Sequence, residues 1–581
     1  MKALLCMLLI TGAVLAGTVT PELREEIAQL GEGELVRVLI KPVGMADTDY
    51  IMNATAGMDR DGRRDFAAEV MKDRAADSQA GILQQLATYS TGSVQDVHPF
   101  WVVNAIAVSV TPEVVMDIAG RDDILYVRPM NRADILIEPV DVRAPLADEL
   151  TDANAWGVDK IGAPAVWSMG YEGNGIIVSV VDTGVNYNHL DLNNNMWHEG
   201  TYHYGWDFDD NDGDPMDTYG HGTHCAGSVA SDGTAGTTCG VAPSATIMAL
   251  RVGVSFSDEQ DVWDAFQFSI DHGADVISTS LGWPQSYNPD RQTWRETENN
   301  VLAAGICHAI AAGNEGGGTT YPGNIRTPGD VPPPWLHPDQ TTTGGLSAVV
   351  TVGATDSNDN IASFSSRGYS TWEGDSPWYD YPDTSPMIGL IDPDISGPGV
   401  DILSCSYSNP AGYTTMSGTS MATPHLAGCM ALILDANPSL SPAQVDSLLE
   451  VTALERGASG KDNVYGAGRV QIYNAVVAAL AVGTHDASGA VPASGVIISS
   501  TGVNPVFSSL QFDVYTGSWA AMDISIFDLS GRRVAVVHEG QMDQGNHSFT
   551  WAVPESISDG IYFLRATGPQ GEAVRRFTVL R

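Results

Sequence analysis

The run Ile176-Ile177-Val178-Ser179-Val180-Val181 stops on Asp182-Thr183-Gly184. One hydroxyl among branched aliphatics reads as a strand buried on both faces, the kind found in parallel sheets covered by helices. Similar apolar runs lie at 246–251, 276–278, 306–311 and 348–352, bounded by glycine and helical patterning. The alternation over residues 151–481 predicts an α/β unit with a doubly wound, mainly parallel sheet. Open sheets of this type bind their ligands beyond the carboxyl ends of the strands, and Asp182 stands at such an end. Taken alone, an aspartate there is commonly a turn residue.

Two further motifs change that reading. Gly220-His221-Gly222-Thr223-His224 leads into Cys225-Ala226-Gly227. By itself His221 could cap a helix or pair with His224 on a metal. A zinc peptidase helix would carry His-Glu-x-x-His, and the glutamate is absent. Met416-Ser417-Gly418-Thr419-Ser420-Met421-Ala422-Thr423-Pro424-His425 sets a serine before an apolar helical stretch. A lone serine in that place is a helix cap. Residue 422 is alanine, which departs from the G-x-S-x-G elbow. Together the three supply a nucleophile, a base with a pKa near ~6.5 and a carboxylate to fix the base's tautomer. Their chain order, Asp182, His221, Ser420, is that of the subtilisin branch.

On these motifs residues 151–481 resemble the subtilisin-like serine proteases, the subtilases. Further matches are Trp156-Gly157-Val158-Asp159-Lys160-Ile161, Gly240-Val241-Ala242-Pro243, Ser280-Leu281-Gly282, Ala311-Ala312-Gly313-Asn314 and Ser396-Gly397-Pro398-Gly399-Val400. The resemblance implies a serine endopeptidase with Ser420 as nucleophile, His221 as general base and acid, and Asp182 orienting it. Asn314 and the Ser420 N–H would form the oxyanion hole. Ser280, Leu281 and Gly282 would form the edge to which the substrate backbone pairs. Trp283 stands where many relatives have glycine, which bears on the shape of the specificity pocket. The competing reading is a catalytically silent surface-binding protein on the same scaffold. It would need a broken triad, and none of the three residues is missing.

Around this unit, residues 146–483, the chain divides further. Lys2 and an apolar stretch ending near Ala16 read as a secretory signal peptide over residues 1–16. No later segment is long and apolar enough to cross a bilayer. Residues 17–145 read as a small α/β unit, with strands at 35–40, 100–110 and 126–129 and a long helix at 63–89. By position it resembles the family's inhibitory propeptide. Residues 484–500 read as a linker, and 501–581 as a small β-sandwich with strands at 510–514, 522–527, 533–537 and 561–564. That last unit resembles the sorting domain of type IX secretion cargo, through Asn504-Pro505, the run 526–534, 560–565 and the terminal 577–581, with a generic fibronectin-like adhesion module as the alternative. The implied destination is secretion or the cell surface, with the secretion machinery, the chain's own propeptide and protein or peptide substrates as partners.

The 71 acidic residues against 28 basic ones exclude a phosphate-backbone binder. Asp207, Asp209, Asp210, Asp212, Asp214 and Asp217 crowd the loop before His221. Such a run is either solvated or bridged by a hard cation such as Ca2+. Its likeness to the calcium loop of thermitase-like subtilases implies Asp207, Asp210 and Asp212 as ligands. Asp152 and Asp191 fall where the family's common calcium site has ligands. No cofactor is needed for the chemistry. Beyond the signal five cysteines remain, with no CxxC pair, and an odd number leaves at least one thiol unpaired or paired between chains.

Overall fold

A computed structural model describes residues 17–146, 153–316, 323–336, 340, 345–384, 387–482 and, with short breaks, 496–579. The signal peptide, Asp152, most of the linker and Asn504-Pro505 lie outside the described residues.

Seven parallel strands form the central sheet. Their spatial order is Gly205–Asp207, Thr246–Arg251, Ile177–Asp182, Val276–Thr279, Cys307–Ala311, Val349–Thr355 and Ile395–Pro398. Alternate side chains of one strand serve two cores. Val178 and Val180 belong to the core shared with helices His221–Ala230 and Thr419–Ala436. Val181 belongs to the core shared with Gln260–Asp271 and Arg291–Ala303. The doubly wound expectation is met, because strands apolar on both faces require helices on both faces. Thr419–Ala436 is buried almost throughout, from Thr419 to Leu434, as its all-round apolar sequence demands.

The N-terminal residues fold as a five-stranded sheet with helices Arg60–Leu86 and Pro112–Ala119. The long helix starts where Asp59 caps the Gly62 N–H at 2.8 Å. The run at 100–110 is not one strand. Val94–Phe100 and Ala105–Val110 pair antiparallel about a turn at Trp101–Asn104. Asn104 takes φ 43°, and the freed Trp101 and Val102 N–H groups donate to Gln267 Oε1. Turn formation there depends on a side chain that sequence periodicity does not register.

The C-terminal residues form two antiparallel sheets. One comprises Val496–Ser500, Ser509–Thr516 and Gly545–Ala552, and the other Arg533–Met542, Ala520–Asp528, Gly560–Gly568 and Gly571–Val579. Phe512 and Trp551 of the first and Ile524, Ile526, Leu564 and Phe577 of the second share one apolar cluster. Residues 496–500, read as the end of the linker, pair instead with Ser509–Thr516. Their Val496-Ile497-Ile498 run carries the β-branched composition of a strand.

Among the described residues no helix is long and apolar enough to cross a membrane. The five cysteines beyond the signal are all buried and free.

Candidate active site

Three elements end at one point on the carboxyl edge of the sheet. Asp182 closes its strand, His221 opens a helix, and Ser420 is the second residue of Thr419–Ala436. The His221 ring nitrogen Nδ1 lies 2.7 Å from Asp182 Oδ1, which also accepts the Thr183 N–H at 2.7 Å. Nδ1 therefore donates to the carboxylate, and Nε2 carries the lone pair. Burial presses the imidazole pKa down, but the Asp182 carboxylate and the neighbouring Cys225 together outweigh it, and the pKa lies well above the ordinary value.

Glycine permits this closeness. A Cβ on Gly222 would lie 2.1 Å from the Gly184 carbonyl oxygen and 3.1 Å from Asp182 Cβ. Asp217, one of the crowded aspartates, braces the approach to the helix. Its Oδ1 accepts from the Tyr219 and Gly220 N–H groups, and its Oδ2 from the Thr223 N–H and hydroxyl. The second histidine of the motif takes no part. His224 Nε2 faces the Ile402 carbonyl at 3.0 Å, and burial lowers its pKa to about 3.

Asn314 is aimed by Thr419, a residue the motif reading passed over. The amide oxygen accepts from the Thr419 N–H at 2.9 Å and its hydroxyl at 3.0 Å. That leaves Nδ2 pointing into the cleft, where it donates to the carbonyl of Glu138 at 2.8 Å. Ser280 packs beneath the nucleophile, its hydroxyl donating to the Ser420 carbonyl at 3.0 Å. Trp283 does not enter the cleft. Its ring is buried against Trp294, with centroids 4.6 Å apart.

The cleft already holds peptide. Ala133 pairs with Ser257, Leu136 pairs antiparallel with Leu281, and the Gly282 N–H donates to the Ile135 carbonyl at 2.8 Å. Asp141–Arg143 then pairs with Tyr413–Ser417. The Ser420 hydroxyl donates to the Ile137 carbonyl at 2.8 Å, and His221 Nε2, though buried, has no hydrogen-bond partner among the described residues. The segment that fills the cleft belongs to the chain's own N-terminal unit, 283 residues before the serine it touches. The short apolar run Ile135-Leu136-Ile137, set between Asp134 and Glu138, is the sequence signal that could have pointed to it.

Arg251 stands inside the acidic loop. Its Nη1 bonds Asp207 and, at 2.7 Å, Asp210, while Nη2 reaches Asp209 at 2.9 Å. Asp212 Oδ1 accepts the Asp214 N–H at 2.8 Å. Asp191 is surrounded by protein donors, the Ser231 and Tyr413 hydroxyls at 3.0 and 2.8 Å and the Ala235 N–H at 2.5 Å.

The profile of the subtilase family matches residues 173–468. Bacillopeptidase F of Bacillus subtilis (strain 168) is 30% identical over 465 residues, which cover 74% of this chain and 30% of that protein. Subtilisin E of the same organism is 30% identical over 405 residues, covering 68% of this chain and 88% of that protein. Subtilisin Savinase of Lederbergia lenta is 32% identical over 318 residues, covering 54% and 96%. The chain thus spans less than a third of bacillopeptidase F but most of the two subtilisins.

Proposed function

The chain belongs to the subtilase family of serine-type endopeptidases, and from that premise we propose that it cleaves peptide bonds through an acyl-enzyme on Ser420. The Ser420 oxygen attacks the scissile carbonyl while His221 Nε2 takes its proton. Asn314 Nδ2 and the Ser420 N–H hold the resulting oxyanion. His221 then gives the proton to the departing amine, the C–N bond breaks, and water resolves the ester by the reverse sequence. Asp182 keeps the proton on Nδ1 and steadies the imidazolium. The supporting observation is that a carbonyl already rests on Asn314 Nδ2 beside Ser420. A silent scaffold would have no use for that juxtaposition.

A fluorophosphonate tests this. The processed enzyme is expected to be labelled on Ser420 alone, read by peptide mass. Because Nε2 must be unprotonated to act, labelling falls as pH drops through the His221 pKa, which the Asp182 carboxylate raises. Labelling elsewhere, or at a rate independent of pH, would reject the assignment.

We further propose that residues 17–145 hold the unprocessed enzyme latent. The support is twofold. The Ser420 hydroxyl is engaged by Ile137 rather than by His221. Arg128 is anchored on Glu259 and Asp290, each at 2.8 Å, across the contact between the N-terminal sheet and the protease helices.

Calcium at Asp207, Asp210 and Asp212 is proposed on charge balance. Asp207, Asp209, Asp210, Asp212 and Asp214 outnumber the one guanidinium among them. Binding a cation there stabilises the folded form by linkage, so EDTA should lower the Tm; an unmoved Tm would dismiss the site. Export by a leader at 1–16 and sorting by 501–581 are proposed on sequence resemblance. Deleting 501–581 should leave peptide hydrolysis intact and stop surface delivery, and normal delivery would refute the sorting role.

A further inference from the structure

One wall of the cleft is filled by a side chain that the mechanism does not use. The strands Val276–Thr279 and Cys307–Ala311 are parallel neighbours, and each runs on into a glycine-bearing segment, Ser280-Leu281-Gly282 and Ala312-Gly313-Asn314. Both glycines abut Arg326. A Cβ on Gly282 would lie 2.9 Å from Arg326 Cβ, and one on Gly313 would lie 3.3 Å from Arg326 Cγ. The arginine is fixed there by its backbone. Its N–H donates to the Ala312 carbonyl at 3.1 Å, and Thr327 and Trp283 exchange N–H···O bonds at 3.0 and 2.8 Å. Its head is fixed too. Nε and Nη2 bond Glu315 at 2.8 and 2.7 Å, and Nη1 reaches the Leu136 and Gly282 carbonyls, each at 3.2 Å. The Ser366 hydroxyl holds the other Glu315 oxygen at 2.9 Å.

We propose that the Arg326–Glu315 pair closes the slot meant for the side chain on the acyl side of the scissile bond, restricting that residue to small uncharged types. The inference rests on the reading of Asn314 as oxyanion donor. In this proposal the side chain next to the carbonyl held by Asn314 enters between the two glycine segments. There the arginine stem, close against both glycines, stands in the way of a ring or a long aliphatic chain. A basic side chain meets a guanidinium. An acidic one finds that guanidinium already paired, with its N–H groups engaged by Glu315 and backbone carbonyls. Glu138, whose carbonyl faces Asn314, has its carboxylate outside the slot, where it accepts from the Tyr219 hydroxyl at 2.7 and 2.9 Å.

The test uses the processed enzyme and peptides that differ only at this residue: alanine, serine, leucine, phenylalanine, lysine or glutamate. For the unaltered enzyme kcat/KM with alanine should exceed that with phenylalanine by at least about tenfold, a size typical of steric selection in a pocket. Arg326→Ala combined with Glu315→Gln, which removes the carboxylate that would otherwise be stranded, should move the phenylalanine-to-alanine ratio by about tenfold or more toward phenylalanine. Phenylalanine or lysine cleaved as fast as alanine by the unaltered enzyme overturns the proposal without any variant. So does an unmoved ratio in the double variant, or a glutamate preference that vanishes with Arg326. Fluorophosphonate labelling separates the two readings. An unlabelled Ser420 in the unaltered enzyme defeats the catalytic assignment, whereas a labelled Ser420 with a flat side-chain profile defeats the slot alone.

Discussion

Replacing Ser420 with alanine is expected to lower kcat by about 10⁶, the loss that follows removal of the nucleophile from a subtilisin-type triad. The reason lies in what remains. His221 and Asp182 still make their 2.7 Å contact, but Nε2 has no hydroxyl proton to accept. Asn314 still offers Nδ2, so a residual rate of about 10³–10⁴ over water can survive on oxyanion stabilisation and binding. Removing Asn314 instead should cost only about 10²–10³, because one of two donors goes while the covalent route stays open. Peptide hydrolysis by the purified variants checks both. The Ser420→Ala chain has a second readout: the segment through Asp141–Arg143 should stay attached, giving an uncut chain by mass where the unaltered protein is shortened. A variant that hydrolyses peptide at the original rate would remove Ser420 from the mechanism.

How much of this could be read from sequence depends on the distance over which each feature is encoded. Asp182, His221 and Ser420 each sit at a junction that local pattern announces: an apolar run ending, a glycine-flanked helix start, a serine before an apolar helix. Their meeting is a consequence of strand order in a parallel sheet, which the alternation of elements prescribes. Features set by packing were not legible. Trp283, in a position where many relatives have glycine, leaves the shape of the specificity pocket open in the sequence; its indole turns inward onto Trp294, and Arg326, 43 positions after Trp283, takes the place beside Gly282. Asp217 looked like one more charge in an acidic run, but five donors converge on it. The turn that splits 94–110 into two strands hangs on Gln267, more than 160 residues away. Periodicity records which face of an element is buried. It carries no record of which distant residue will face it.

The second large effect belongs to such a feature. Lys461→Met should destabilise the protein by about 3–5 kcal/mol, the cost of leaving buried charge without its partner. The Lys461 ammonium is wholly buried, 2.8 Å from Asp394 and 2.7 Å from Glu450. Burial presses its pKa down, but Asp394, Glu450 and Asp446 together raise it, so it stays charged. On the acidic side, burial raises all three carboxyl pKa values, that of Glu450 to about 8. A carboxyl whose folded pKa is raised supports the fold below its unfolded pKa and withdraws that support as pH rises through the folded value. Without Lys461 the cation that offsets the rise is gone, so the variant's deficit in urea midpoint should be largest near pH 8 and shrink toward pH 5. Equal midpoints for variant and parent at pH 8 would show that the ammonium contributes nothing. Chemistry should be spared. Asp394 precedes the strand Ile395–Pro398 and accepts the Thr351 N–H at 2.8 Å, so the cluster grips the amino ends of the last two strands. Ser420, His221 and Asp182 occupy the carboxyl edge. Molecules of Lys461→Met that remain folded should therefore keep their kcat/KM, the converse of Ser420→Ala, which should keep its urea midpoint and lose its turnover.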